Sequence, residues 1–361
     1  MLPGDIGAEL ARVITAAVAA GQLPPAAGMT SAAGTWRPPP GAAPGSYSSS
    51  LPFRLAACTG RGAGQIAALL AAGLRGPGWI SDAAVTGAGY LTVTVTPATL
   101  AGLAVRVSQA GAAYARGDAL RGRTVSAPAD ADLAAAATWA QAHRLVIATV
   151  TGRLAQAAGA EVFFNRDLKR MVGTTAAGQP RPGPAGSAVA YAGVDAVRYA
   201  LARIPVGRAV VIDAGQSVKH VLGNPFYAVS FAHADASATL SRAAGLGLSR
   251  GAPAGFRPRS LGCPAELTLL AAISWLPERV AGAARRRQPH ELTSYAEELA
   301  GAYLDVRERC PALPSGGRGA PRDAATVRAR LWLADAARAA LAAGLGLLGV
   351  SAAGRPAGQD L

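Results

Sequence analysis

Apolar positions recur with a helical period at the amino end. Ile6, Leu10, Val13, Ile14 and Ala17 share one stripe, which predicts an amphipathic helix over residues 5–20. The run RPPPGAAPGS (37–46) cannot continue that helix and reads as a loop. Helices follow from about Ser49 to Thr59 and from about Gly64 to Leu74, and YLTVTVT then alternates as a strand from Tyr90, entered through the turn TGAG. Next, RTVSAP reads as a strand, followed by a helix from about Asp130 to Ala158 and by AEVFF as another strand. That makes one βαβ unit and no more.

AAGQPRPGPAGSA (176–188) is the clearest linker, and beyond it strand signals nearly vanish. Helical patterns dominate from Gly193 to Gly349, which predicts an all-α bundle. In NPFYAVSFAHADASATL (224–240), Asn224 suits the N-cap and Pro225 the first helical position. Phe226, Val229, His233, Ala236 and Leu240 form a buried seam, while Tyr227 and Phe231, four apart, share an adjacent face. His233 is therefore expected to be a core histidine. Leu292, Tyr295, Leu299, Ala302 and Val306 repeat the seam in a later helix, and Val327, Leu331, Ala334, Leu341, Leu345 and Leu348 do so in the last, with Trp332 beside the stripe. ISWLPERV must break or kink at Pro277. The predicted class is mainly α with a small α/β N-terminal domain and a C-terminal all-α bundle, divided as 1–100, 101–175, a linker at 176–190, and 191–361.

Composition adds that the chain folds and that it is basic. Of 361 residues 51% are hydrophobic, which argues against disorder. Of the 35 basic residues only Lys169 and Lys219 are lysine. Such an Ala-, Gly-, Arg- and Pro-rich composition is what a G+C-rich coding bias produces, so arginine enrichment alone marks no site. Net charge says more: +14, with a pI near 10.7, points to an anionic partner, nucleic acid before membrane. The excess is even, 15 basic against 8 acidic residues up to 190 and 20 against 13 after it. Either an extended partner touches both parts, or the protein is simply basic with solvated faces. Cys58, Cys263 and Cys310 lie far apart without a CxxC, which fits a reducing compartment and argues against a disulfide framework or a cysteine-rich zinc site. Asp5 and Glu9 give the first helix the wrong charge for a signal peptide. The uncharged run from Ala339 to Gly354 is short for a membrane span and is broken by glycines. A cytoplasmic protein without membrane association is expected.

Catalytic signatures are weak. DAGQSVKH brings Asp213, Ser217 and His220 close in sequence, but Lys219 stands where a nucleophile elbow needs glycine. GLGLSRG (245–251) lacks the strand before and helix after that a phosphate loop requires. The four histidines have no partner at metal-ligand spacing, so neither metal nor cofactor is expected. Two basic features remain: Arg242, Arg250, Arg257 and Arg259 with no acid from Ala236 to Ala265, and Arg279 with Arg285-Arg286-Arg287. They are either solvated arginines near helix ends or phosphate contacts.

The order of segments carries more weight. AGVDAVRYAL (192–201), NPFYAVSFAHAD, PHELTSYAEELAGAYLDVRERC and RLWLADAARAALAAGLGLLGV (330–350) resemble the carboxyl half of arginyl-tRNA synthetases, which ends in the DALR anticodon-binding bundle. GSYSSSLPFRLA (45–56), AGQIAALLAAGL (63–74) and TGAGYLTVTV (86–95) resemble that family's additional N-terminal domain, which touches the tRNA elbow. The resemblance implies an elbow-binding domain at 1–100, a remnant of the class I catalytic domain at 101–175, and a DALR-like bundle at 191–361.

Against the family pattern, only His143 of Ala140-Gln141-Ala142-His143 stands in a HIGH-like position, no KMSK-like loop exists, and one βαβ unit is too little for the full nucleotide fold. Ser230, Phe231 and Asp235 stand where the family has Gln, Tyr and Arg; Ser46, Ser50 and Thr92 replace its Asp and Asn residues; SAAGRPAGQDL replaces its closing segment. The resemblance therefore implies a protein that binds tRNA of the arginine type without charging it, with no catalytic residues. Its tRNA-facing residues would be Tyr47, Ser50, Tyr90, Phe231, Arg242, Arg250, Arg257, Arg259, Arg285, Arg286, Arg287, Tyr295, Tyr303 and Arg307. A protein-interaction subunit docking on a genuine synthetase, and a residual arginine-tRNA ligase, are the alternatives.

Overall fold

The computed structural model describes residues 3–25, 36–130, 132–165, 183–313 and 323–352. It divides into two units, one made of 1–106, 250–275 and 314–333, the other of 107–249, 276–313 and 334–361.

In the first unit, helix α1 (Pro3–Ala19) buries the predicted Ile6, Leu10, Ile14 and Ala17. Helices α2 (Leu51–Thr59) and α3 (Ala63–Leu74) follow. Strands β1 (Trp36–Arg37), β2 (Ser46–Ser49), β3 (Ile80–Thr86) and β4 (Tyr90–Val95) form an antiparallel sheet in the order β1-β2-β4-β3. The β4 strand alternates as predicted, turning Leu91, Val93 and Val95 inward. A Cβ on Gly73 of α3 would lie 2.4 Å from Val13 Cγ1, so only glycine lets α1 and α3 approach this closely.

Three strands here correct the sequence expectation. β1, β2 and β3 fall where the reading had loop, helix start or nothing. Ser46–Ser49 is too polar to show an apolar alternation, yet its inward positions Tyr47 and Ser49 are buried opposite Val93 and Leu91.

The unit continues through α4 (Pro97–Ala101), capped by Thr96, and the start of α5 (Leu103–Ala110). It takes in α11 (Pro264–Ser274) and the first part of α14 (Ala324–Leu348). Glu266 is fully buried, and Arg330 Nε reaches its carboxylate at 2.6 Å, joining α11 to α14.

The second unit opens on β5 (Thr124–Pro128), α6 (Trp139–Ala157) and β6 (Glu161–Asn165), with β5 and β6 paired in parallel. This is the single βαβ expected. Its helix begins nine residues later than Asp130, because Thr138 is the N-cap and accepts the Gln141 N–H at 3.1 Å. Gly152 lets α6 sit on the strands: a Cβ there would meet Ala127 Cβ at 2.4 Å and Phe164 Cε1 at 3.4 Å.

Helices α7 (Pro184–Ala192), α8 (Val194–Ala202), α9 (Ala214–Ser217), α10 (Pro225–Gly245), α12 (Leu276–Arg286) and α13 (His290–Arg309) follow, with the later part of α14. The predicted linker lies largely outside the described residues, and its end is already α7. The closing segment from 353 lies outside them as well. The helix around Pro277 breaks as expected, with Trp275 capping α11. α13 packs against α10 and α12, and α6 against α8 and α12.

The last helix is long and apolar enough to cross a membrane, but 78% of its most apolar window is buried inside the fold, as in a core helix. Cys58 is a free, exposed thiol.

Candidate nucleic-acid interface

Asn224 sets the geometry of the candidate face. Its Oδ1 accepts the Phe226 N–H at 3.2 Å, completing the cap of α10, and its Nδ2 donates to the carbonyls of Ser217 (3.0 Å) and Lys219 (2.9 Å). One side chain thus starts the helix and fastens the preceding loop beside it. His220 comes to lie over Tyr227, ring centroids 5.3 Å apart and planes within 15°. One helical turn on, Tyr227 stacks on Phe231 at 5.8 Å and 21°. From α13, the Arg307 guanidinium lies 5.5 Å from the Phe231 ring centroid. Four flat groups therefore form a ladder, with the two central rings half-buried and His220 and Arg307 exposed.

Asp235 anchors one end. Its side chain is 9% exposed; Arg307 Nε approaches its carboxylate at 3.1 Å and Arg242 Nη2 at 3.8 Å. Tyr303 Oη donates to it at 2.9 Å. Burial first, and then the Asp235 carboxylate, push the Tyr303 phenol pKa up, so it stays a donor. A negative residue where the resemblance has arginine thus faces two guanidiniums and a phenol, not solvent. Its local effect is to orient cations, one of them over an aromatic ring.

The remaining predicted residues fall into three groups. Tyr47, Tyr295 and Tyr303 are buried, 1%, 3% and 4% exposed, and this corrects the expectation that they face RNA. Tyr47 Oη donates to Ser274 at 2.8 Å, and desolvation raises its pKa to about 12. Tyr295 packs below Arg279, with its pKa pushed up chiefly by burial. Tyr295 accordingly keeps the place in the apolar seam that its spacing predicts. A second group is exposed but engaged. Arg286 chelates Glu291, Arg250 lies 4.4 Å from the Trp332 ring centroid, and Tyr90 meets Phe53 edge-on at 4.8 Å. In the third group, Ser50 is half-buried at the start of α2, while Arg257, Arg259, Arg285 and Arg287 are exposed.

Arg287 ends α12 in a left-handed conformation (φ 55°) with Gln288 N–H bonded to Ala283 O, a helix stop that ordinarily uses glycine. It lines a cavity of about 650 Å³ with Arg144 and His143. His143, the one residue in a HIGH-like position, is buried and donates from Nε2 to Ile204 O at 3.1 Å.

Sequence reasoning missed His220 as a stacking residue and Asp235 as an anchor. Both depend on partners, Tyr227 and Arg307, that only the fold brings close. The apparent triad dissolves: Asp213 caps α9 by accepting the Gln216 N–H, and Ser217 Oγ donates to Asp213 O. His233 is buried in the α10 seam; desolvation, and secondarily the Arg338 charge, lower its pKa. No cluster of three or more potential metal ligands occurs among the described residues.

Asp235 and Arg307 of this face fall within a known module, while His220, Tyr227 and Phe231 immediately precede it. Residues 232–355 match the DALR anticodon binding domain. Curated relatives agree: arginine–tRNA ligases of Micrococcus luteus and Clavibacter sepedonicus are 42% and 41% identical over 166 and 160 residues. These alignments take in 45% and 44% of this chain, at its carboxyl end, so the chain spans only 29% and 28% of the length of those relatives. Among solved structures, the Thermus thermophilus arginyl-tRNA synthetase aligns with 98% of this chain and 99% of its own, at TM-score 0.62 and 13% identity, a likeness of fold. The chain thus shares the fold of that solved structure. Its carboxyl part matches the DALR anticodon binding domain over 232–355 and is similar in sequence to arginine–tRNA ligases.

Proposed function

We propose that this protein binds tRNA, of the arginine type first, through the His220–Tyr227–Phe231–Arg307 face at the start of its DALR-like region, and does not aminoacylate it. The carrying observation is the stacked ladder with Arg307 and Arg242 held by Asp235. Aromatic planes take up bases while adjacent guanidiniums meet the backbone, and stacking on one side chain contributes roughly 1–3 kcal/mol. Exposed Tyr90 and half-buried Ser50 are the elbow contacts in the first unit. Absence of charging is supported by the sequence, which offers one histidine in a HIGH-like place, tied to a backbone carbonyl, and no KMSK-like lysine pair. The cytoplasm, where tRNA is used in translation, is the proposed place of action.

Fluorescence anisotropy with labelled tRNA tests this. Affinity falls steeply with salt, with a log–log slope of about −0.7 to −0.9 per neutralised phosphate. Phe231→Leu keeps the bulk of the side chain but breaks the ladder between Tyr227 and Arg307, and weakens binding roughly 5- to 150-fold, the scale of one stacked base. Absence of binding at low salt would remove the proposal. ATP–pyrophosphate exchange dependent on arginine would remove its second half.

A second reading, docking on a protein such as a genuine synthetase, is favoured by Phe163 and Phe164, 55% and 37% exposed on β6. Co-purification with a synthetase that survives nuclease, together with no tRNA binding, would support it over the first.

A further inference from the structure

A cavity of about 760 Å³ opens in the first unit, remote in sequence from the aromatic ladder. One wall is a rigid turn. Pro258 begins a short 3-10 turn, Pro258–Ser260, closed by Ser260 N–H to Arg257 O (3.0 Å) and Leu261 N–H to Pro258 O (3.1 Å). Leu261 is buried and α4 packs on the turn, so Arg257 and Arg259 are presented from a fixed backbone. The opposite wall is the first turn of α14. Arg328 lies there beside Ala324 and Ala325, whose N–H groups belong to the unpaired start of a 25-residue helix.

Arg257, Arg259 and Arg328 are all exposed and make no ion pair among the described residues. Three other arginines of the same unit do find carboxylates: Arg12 with Glu9, Arg106 with Asp5, Arg330 with Glu266. The one acid lining the cavity, Asp323, is engaged at the helix start, accepting the Thr326 N–H at 3.3 Å. Three guanidiniums and a helix amino end against one carboxylate form a site for a multiply charged oxyanion. Phe256, half-buried on the same wall, adds a flat apolar surface.

We propose that this cavity is a nucleotide-phosphate site: Arg257, Arg259, Arg328 and the first turn of α14 hold the phosphate, and Phe256 stacks the attached base. The phosphate belongs either to a free nucleotide or to an RNA backbone. The RNA source rests on the function proposed above; the anion site does not.

The full-length protein is titrated with pyrophosphate, with AMP and with a short single-stranded RNA, each as wild type, Arg328→Ala and Arg12→Ala. Arg328→Ala is expected to weaken binding at least fivefold and to flatten the RNA salt slope by about 0.7, one phosphate on a single strand. Arg12→Ala, which removes an exposed arginine already paired with Glu9, changes neither. Loss for all three probes identifies a free-nucleotide site, and loss for RNA alone identifies a backbone site; both support the proposal. Wild-type affinity for every probe in Arg328→Ala overturns it. Should that variant misfold by circular dichroism, the Arg257→Ala/Arg259→Ala pair carries the same expectation. Phe231→Leu in the other unit separates the two proposals: weakened tRNA binding there with intact Arg328→Ala binding sinks only this one, and the converse sinks only the ladder.

Discussion

Replacing Asp235 by asparagine removes one negative charge and changes almost nothing else in shape. Counting charge alone, net +14 becomes +15, and tRNA should bind more tightly. The geometry predicts the opposite. Arg307 Nε loses a carboxylate partner at 3.1 Å, and Tyr303 Oη loses an ionised acceptor at 2.9 Å. A charge-assisted hydrogen bond contributes about 1.5–3 kcal/mol where it is dry, but the Arg307 side chain is 51% exposed, so solvent reduces its share to about 1 kcal/mol. The Tyr303 bond survives to an amide oxygen with a loss of about 0.5–1 kcal/mol. Arg242, 3.8 Å away and 61% exposed, adds little.

Asp235→Asn should therefore cost about 1.5–2 kcal/mol in urea unfolding followed by circular dichroism. A double-mutant cycle with Arg307→Gln should return a coupling of about 1 kcal/mol. With Arg307 released from the Phe231 ring, tRNA affinity falls despite the added positive charge. Tighter tRNA binding by Asp235→Asn, or a coupling below about 0.3 kcal/mol, would refute the reasoning.

Asn224→Ala removes an N-cap and two side-chain donors, and should lower stability by about 2–3 kcal/mol by urea unfolding and loosen His220 from Tyr227, seen as a shifted His220 ring resonance. Gly152→Ala forces a Cβ into Ala127 and should destabilise the second unit by about 1–3 kcal/mol in the same unfolding assay, without a change in pyrophosphate binding. His233 has a folded-state pKa below its ordinary 6.5, so the unfolded chain takes up its proton first. Stability is full above that value and falls as pH drops from 6.5 toward the folded-state pKa; His233→Gln should flatten this limb of a stability–pH curve.

What could be read from the sequence was local. The Asn224-Pro225 start of α10, its seam through Val229, His233 and Ala236, and the Tyr227–Phe231 pair follow from cap chemistry and a 3.6-residue period, and all stand in the structure. What could not be read was set by distant partners. Tyr47 is buried because it bonds Ser274, 227 positions away. Asp235 acquires its role from Arg307 and Tyr303 on another helix, and Arg328 joins Arg257 and Arg259 only through the fold. β2 was invisible because its inward serine carries no hydrophobic signal. The sequence pattern starts the helix before Ala158 too early because alanine favours helix everywhere, while Thr138, the residue that starts it, is an ordinary threonine in isolation.

Placing a photo-crosslinking phenylalanine analogue at position 231 and sequencing the RNA attached to the protein in cells bears most directly on the aromatic face. A tRNA crosslinked within its anticodon loop is the expected result. Crosslinks confined to the acceptor stem, or RNA other than tRNA, would mean that this face does not hold an anticodon arm.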